Sequence, residues 1–256
     1  MSPRRADPFK PPAGASYTKG EVNRAGKLAR EFMTMPGTAD TAFDALGRDG
    51  IVNAFYAITW WRSLHARPLS SVAAGLRYHV AQEGGEVSGR IDVTQRLKRR
   101  NTIIDKLTRE PSMEVTQFHD IGGVRARLPS LAHVYAVGRR LRKTWTIVKT
   151  RDYIANPKPS GYRALHVIAR RDDFAIEVQL RTIRQDAWAN QVEDDGRQIG
   201  LGLKFGAGAT DIHDYYMAIS EAFALLDRGE PLPGELVTTL NERYAIIKGI
   251  LPRDQQ

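Results

Sequence analysis

The sequence predicts an α+β fold in which helices flank a mixed β-sheet, and three observations carry that expectation. Apolar residues recur at helical spacing through the first third of the chain; the texture then shifts to short, Val- and Ile-rich alternating runs; and helical periodicity returns after Thr182. Taken in order, the helical stretches run from Lys19 to about Met33, from Arg48 to His65 and from Ser70 to Gln82, with Pro68 and the glycines at 84, 85 and 89 as punctuation. Trp60 and Trp61 fall inside the second of these and read as core, because aromatics on an amphipathic helix contribute mainly by burial. A short helix is expected at Thr102 to Arg109. Strands are expected at Gly122 to Leu128, Thr144 to Thr150, Ala164 to Arg170 and Phe174 to Leu180, with a helix from Leu131 to Lys143 between the first two. Helices at Ile183 to Gln198, Asp211 to Leu226 and Pro233 to Lys248 close the chain. The glycine-rich stretch Gly200 to Gly208 lacks both the Gly-x-Gly-x-x-Gly spacing and a preceding strand, so it reads as a flexible connector. The organisation expected is a helical N-terminal region at 1–90, a core at 91–200 and a helical C-terminal region at 201–256.

Composition narrows the function classes. The chain has 256 residues, 42% of them hydrophobic, enough for a sizeable core. Zero cysteines exclude disulfides, thiolate catalysis and Cys-based zinc sites. The densest apolar stretch, Ala54 to Trp61, is far shorter than the ~20 residues that span a bilayer, and the basic N-terminus has no apolar signal segment and reads as a flexible start. A soluble, cytoplasmic protein with no membrane partner is the expectation. The net charge of +9 points to polyanionic partners such as nucleotides, nucleic acid or acidic protein. The basic residues cluster, with Arg96, Lys98, Arg99 and Arg100 in one group and Arg139, Arg140, Arg142 and Lys143 in another. Solvated helix faces are the plain reading of such groups.

The chemistry concentrates in two segments, Asn156 to His166 and Glu177 to Thr182. Gly161 can take a positive φ and let Tyr162 swing out as a stacking platform, while Lys158, Arg163 and His166 are donors suited to phosphate oxygens. The strands around Arg171 to Asp173 should form a hairpin. A turn at Arg171 and Asp172 places His166 opposite Glu177; a turn at Asp172 and Asp173 places it opposite Gln179. In either register Glu177, His166 and Arg181 project from one face, and Leu165, Val167, Ile176, Val178 and Leu180 face the core. A second carboxylate, Asp120, opens a strand, and Gly122 and Gly123 beside it leave room for a ligand or another backbone. Two carboxylates on neighbouring strands among Arg and Lys are what Mg²⁺-dependent phosphoryl transfer requires. A strand-entry cap for Asp120 and a surface cross-strand partner for Glu177 are the plain alternatives.

These residues resemble the synthetase domain of the RelA/SpoT family over about Arg96 to Glu193. Three motifs carry the resemblance: Asp-x-x-Gly-x-Arg at Asp120, Gly123 and Arg125; Asp-Tyr-Ile-x-x-Pro-Lys-x-x-Gly-Tyr-x-x-x-His from Asp152 to His166; and Glu-x-Gln-x-Arg-Thr from Glu177 to Thr182. The resemblance implies a nucleotidyltransferase-like fold and transfer of the β,γ-pyrophosphate of ATP to a ribose 3′-hydroxyl. It also implies roles: Asp120 and Glu177 as Mg²⁺ ligands and catalytic carboxylates, Glu177 helping to deprotonate the attacking hydroxyl. Arg96, Lys98, Lys106 and Arg125 would bind ATP, and Tyr162, Lys158 and His166 the acceptor. Small single-domain members of the family make ppGpp and pppGpp from GDP and GTP; some are toxins that pyrophosphorylate the 3′ end of tRNA.

The acceptor is therefore first expected to be GDP or GTP. The tRNA 3′ end, with a neutralising antitoxin protein as further partner, is the alternative, and a non-catalytic nucleotide-binding module is a third reading. The chain departs from many alarmone-making relatives after Glu193, where Asp194-Asp195-Gly196-Arg197 stands in place of a histidine and a basic-aromatic segment. That departure weakens transfer of their tetrameric assembly, although an oligomer stays open.

Overall fold

A computed structural model of the chain describes residues 9–199 and 210–248, so the stretch Gly200 to Gly208 and the first residues of the N-terminus lie outside the described residues. Helices α1 (Lys19–Thr34), α2 (Ala39–Leu46), α3 (Arg48–Leu64) and α4 (Ala66–Gln82) come first. They are followed by β1 (Asp92–Leu97), α5 (Arg100–Arg109), a 3-10 turn at Val115–Gln117, β2 (Gly122–Leu128), α6 (Leu131–Thr144) and β3 (Ile147–Asp152). The chain continues with β4 (Leu165–Arg171), β5 (Phe174–Thr182), α7 (Ile183–Ile199), α8 (Thr210–Asp227) and α9 (Gly234–Ile247). The strands form one mixed sheet in the order β1-β2-β5-β4-β3, the α+β layout expected. No helix among the described residues is long and apolar enough to cross a membrane.

The chain divides into two compact units, the first comprising Met1–Ala73, Gln95–Val124 and Ala169–Glu177 and the second Ala74–Thr94, Arg125–Ile168 and Val178–Gln256. The first unit is built on α1, α3 and α5. Thr18 and Glu21 cap α1 reciprocally, the Thr18 amide donating to the Glu21 carboxylate at 2.7 Å. Val22, Ala25 and Ala29 then meet Ile51, Ala54, Phe55 and Ile58 of α3 and Ile103, Ile104 and Leu107 of α5 in one buried cluster. Trp61 belongs to this cluster and Trp60 packs against it, as read from sequence. In the second unit, Val134, Val137 and Leu141 form the buried stripe of α6. A second cluster joins Tyr162 and Ala164 to Trp188, Ala189 and Val192 of α7 and to Ile212 and Tyr216 of α8. Asp195, one of the residues that departs from the family pattern, is buried and accepts a hydrogen bond from the Tyr216 hydroxyl.

Several boundaries differ from expectation for local reasons. α4 begins at Ala66, not Ser70, because Pro68 sits in its first turn, where a missing N–H breaks no intrahelical bond. α6 runs through Thr144, so the next strand starts at Ile147 rather than Thr144. Two elements escaped the sequence reading. α2 is only eight residues long, held by a Thr38 cap that accepts from the Thr41 amide. β1 lies at the sheet edge and buries Val93 alone, so its sequence has no alternating signature.

Candidate functional site

Asp120 precedes β2 by two residues rather than opening it, and its position is pinned by the amide of Lys98 donating to the Ile121 carbonyl at 2.8 Å. Its carboxylate is gripped from two elements. Lys98, just past the end of β1, brings Nζ to 2.8 Å from Oδ2, and Lys106, on α5, brings Nζ to 3.1 Å from both oxygens. Lys106 is itself seated over the Phe118 ring at 4.6 Å. Arg62 of α3 donates from Nε to the Lys98 carbonyl at 2.6 Å and so anchors the backbone that carries this lysine. Burial pushes the Asp120 carboxyl up, yet the two ammonium groups outweigh it and hold the group below its ordinary value, against an opposing push from the negative charge of Glu177. Asp120 is thus an anion whose electrostatic surroundings include two cations and a second carboxylate.

That donor set bears on the metal. Asp120 and Glu177 offer hard oxygen ligands whose like charges interact, and Mg²⁺ is held by one or two carboxylates with phosphate oxygens and waters completing its shell. Among the described residues no group of three or more His, Cys, Asp or Glu side chains gathers to hold a metal by itself. Two carboxylates are a donor set that would hold Mg²⁺ together with phosphate oxygens. Arg96 is exposed on β1 of the same unit. Gly122 does not open a space for ligand: a Cβ there would lie 2.6 Å from Ile176 Cδ1, so the missing side chain lets Ile176 pack against the strand. Gly123 is the open one, with the Arg96 carbonyl its nearest neighbour at 3.9 Å.

The remaining candidates, Arg125, Lys158, Tyr162 and His166, belong to the second unit, whereas the turn before β5 belongs to the first. Asp172 and Asp173 both adopt positive φ, 48° and 65°, which makes them the two central residues of a type I′ turn between β4 and β5. This selects the second of the two registers and sets His166 opposite Gln179. Burial alternates along β5 with Ile176, Val178 and Leu180 inside, as expected, while β4 is buried on both faces.

Gly161 has a φ of 83°, but Tyr162 does not swing out. Only 8% of it is exposed, because its hydroxyl finds two buried partners: His166 Nε2 at 2.7 Å and Arg181 NH2, which donates to it at 2.7 Å. Lys158 lies over both the Tyr153 ring at 4.8 Å and the Tyr162 ring at 5.0 Å. Arg181, expected to project from the same face as Glu177 and His166, is buried. Its side chain is 3% exposed and donates from NH1 to Asp186 Oδ1 at 3.0 Å and from NH2 to Gln179 Oε1 at 2.9 Å. The same Asp186 oxygen takes Arg125 NH1 at 3.1 Å, and Asn190 donates to the other oxygen at 3.0 Å.

Arg125, read from sequence as an ATP contact, is thereby tied into a chain of polar contacts running from Asp186 through Arg181 to Tyr162 and His166. Asp186 and Asn190 were not singled out from sequence. The available signal was an acidic residue in the first turn of α7, five residues after an arginine at the end of β5. The basic group on α6 is also thinner than its sequence indicates. Arg140 is paired with Glu83 at 3.0 Å and donates to His79 at 3.3 Å, leaving Arg139, Arg142 and Lys143 exposed.

Residues 95–195 match the family model described as a region found in RelA / SpoT proteins. The GTP pyrophosphokinase YwaC of Bacillus subtilis is 37% identical over 111 residues, covering 37% of this chain and 52% of that one. The GTP pyrophosphokinase YjbM of the same organism is 33% identical over 109 residues, covering 38% and 52%. The chain thus spans about half the length of these curated relatives. Among solved structures, small alarmone synthetase 2 from Bacillus subtilis is similar with a TM-score of 0.58 at 25% identity, over 67% of this chain and 94% of the other. Small alarmone synthetase 1 from the same organism, bound to its product pppGpp, shares the fold at a TM-score of 0.54 and 24% identity, over 67% and 94%.

Proposed function

We propose that the chain, whose residues 95–195 match the family model of a region found in RelA / SpoT proteins, is a pyrophosphokinase that moves the β,γ-pyrophosphate of ATP to the ribose 3′-hydroxyl of GDP or GTP. The observation that carries this reading is the Asp120 carboxylate held ionised by Lys98 and Lys106 with the charge of Glu177 acting on it. The single Asp120 carboxylate offsets one of the two lysine charges and leaves the cluster cationic. Asp120 and Glu177 would hold Mg²⁺, which would free the two ammonium groups for phosphate oxygens. Bound Mg²⁺ supplies charge neutralisation on the transferred group. Arg96 lies exposed on the same unit and adds an adenine- or phosphate-facing guanidinium.

On the acceptor side, Lys158 covers the Tyr162 ring, so a purine would reach that ring only by displacing this cation, while His166 fixes the tyrosine hydroxyl. In the transfer the 3′-oxygen forms a bond to the β-phosphorus of ATP, the bond from that phosphorus to the α,β-bridging oxygen breaks, and AMP leaves with the bridging oxygen. The hydroxyl proton passes to Glu177. The relatives named GTP pyrophosphokinase and the pppGpp-bound neighbour support a guanosine acceptor. Transfer to the tRNA 3′ end has the net charge of +9 in its favour.

The test is to incubate the chain with γ-³²P-ATP and Mg²⁺, offering GDP, GTP and bulk tRNA separately. Label on a guanosine nucleotide is the expected result. Label on tRNA alone replaces the acceptor, and release of labelled pyrophosphate or phosphate with no labelled acceptor removes the transferase reading.

A further inference from the structure

A cationic cavity lies in the first unit, built from residues that the reaction above does not use. Thr59 and Arg62 of α3, together with Arg99, Arg100 and Asn101 at the start of α5, line a space of about 280 Å³. Among the described residues its lining carries three guanidinium groups, a hydroxyl and an amide. The guanidiniums are held in different ways. Arg62 is fixed by its Nε bond to the Lys98 carbonyl. Arg100 donates from NH1 to Thr59 Oγ1 at 3.4 Å and sits over the Phe9 ring at 4.6 Å. Arg99 is exposed and occupies the N-cap position of α5, where no side chain caps the helix, so the first-turn amides add to the positive end.

We propose that this cavity binds an oligophosphate, two or more linked phosphate groups. Three guanidiniums on two helices offer more donors than one phosphate can accept, and planar guanidinium forks match phosphate oxygens in pairs. The volume agrees, since 280 Å³ holds about nine waters at bulk packing, more room than a single phosphate fills. The site is separate from the Asp120 cluster in its residues but joined to it through Arg62, which both lines the cavity and carries the Lys98 backbone. The N-terminal helices outside the matched family region thus acquire a chemical role, because α3 supplies two of the five lining residues.

The test is calorimetric titration of the intact chain, without Mg²⁺, using sodium tripolyphosphate, inorganic phosphate, GTP, ATP and a short RNA duplex as separate probes. Tripolyphosphate should bind more tightly than inorganic phosphate. Arg99→Gln should weaken it roughly tenfold and Arg99→Gln with Arg100→Gln by a further order, while Lys106→Ala leaves this binding in place. Arg99 is exposed, so the single variant reads binding and not folding. Loss of affinity for GTP and ATP in the same variants identifies nucleotide phosphate chains as a source of the ligand, and loss for tripolyphosphate alone identifies the free chain. Unchanged tripolyphosphate binding in Arg99→Gln, complete loss in Lys106→Ala, or Arg99 dependence seen only with RNA would each overturn the proposal.

Discussion

Replacing Asp186 by Asn isolates the consequence of burying Arg181. The guanidinium is 3% exposed and its charge is balanced by Asp186, the sole carboxylate among the partners named for it. Asn is nearly isosteric, so packing is retained while the balancing charge is removed. Breaking a buried pair by removing one partner costs about 3 to 5 kcal/mol. The partly exposed Arg125, which shares the same oxygen, adds less, because its charge can turn to water. For a chain of this size that loss lowers Tm by roughly 6 to 20 °C. Urea and thermal unfolding followed by circular dichroism measure it. The companion variant, Arg181→Met with Asp186→Leu, removes both charges and should lose less stability than Asp186→Asn alone. A loss below about 1 kcal/mol in Asp186→Asn, or a double variant worse than the single, would refute the claim that Arg181 is a buried charge held by this carboxylate. The functional side of the same experiment is acceptor binding: once Arg181 shifts, the Tyr162 hydroxyl loses one of its two partners, and the KM for the acceptor should rise before that for ATP.

Other outcomes follow from the same geometry. Glu177→Gln should leave the fold intact and reduce pyrophosphate transfer roughly a hundredfold to ten-thousandfold, measured by labelled-product formation; retained activity would remove Glu177 from the chemistry. Tyr162→Phe keeps the ring and loses the hydroxyl network, so it should weaken the acceptor less than Tyr162→Ala, which gives up stacking worth ~1 to 3 kcal/mol, a ranking that initial-rate kinetics can reverse. Gly161→Ala forces a side chain into a φ of 83° with Met217, Ser220 and Trp188 within 3.0 to 3.3 Å of the new Cβ, and should destabilise by more than about 1 kcal/mol in urea unfolding. His65 gives a pH dependence: burial, opposed by its bond to the Trp61 carbonyl, lowers the imidazole from 6.5 to about 4. The unfolded chain therefore binds a proton below pH 6.5 that the folded chain refuses until about 4, so stability falls by about 3 kcal/mol as pH drops through that window. His65→Phe should flatten this part of the profile, and a wild-type urea midpoint that does not change between pH 7 and 4.5 would count against it.

Much of the fold was legible because its elements are strongly patterned. The α1 stripe of Val22, Ala25 and Ala29 repeats at helical spacing, and β5 alternates with Ile176, Val178 and Leu180 inward. β1 was not legible, since an edge strand that buries one residue has nothing to alternate. Lys98 and Lys106 were placed as ATP contacts by the family resemblance, but their grip on Asp120 was not legible, because spacing fixes neighbourhood and not the partner that a charge chooses. Tyr162 shows the opposite limit. Gly161 takes the left-handed backbone expected of it, yet the ring's direction depends on hydroxyl partners at His166 and Arg181, and the sequence does not state which of the polar groups nearby will be dry. Arg140 was miscounted as free surface charge for the same reason, its partner Glu83 lying far back along the chain.

The Asp172-Asp173 turn touches no candidate ligand, yet it acts as a ruler for the strand that follows. Its two left-handed residues could be exchanged for Asn-Gly with little effect on the backbone path, so its composition is replaceable. Its length is not. One residue more or fewer would move β5 by a single step and send Glu177, Gln179 and Arg181 to the opposite side of the sheet, with Ile176, Val178 and Leu180 turned outward in their place. A position with no chemistry of its own thus decides which set of side chains the strand presents, and insertions there should be as damaging as loss of a carboxylate.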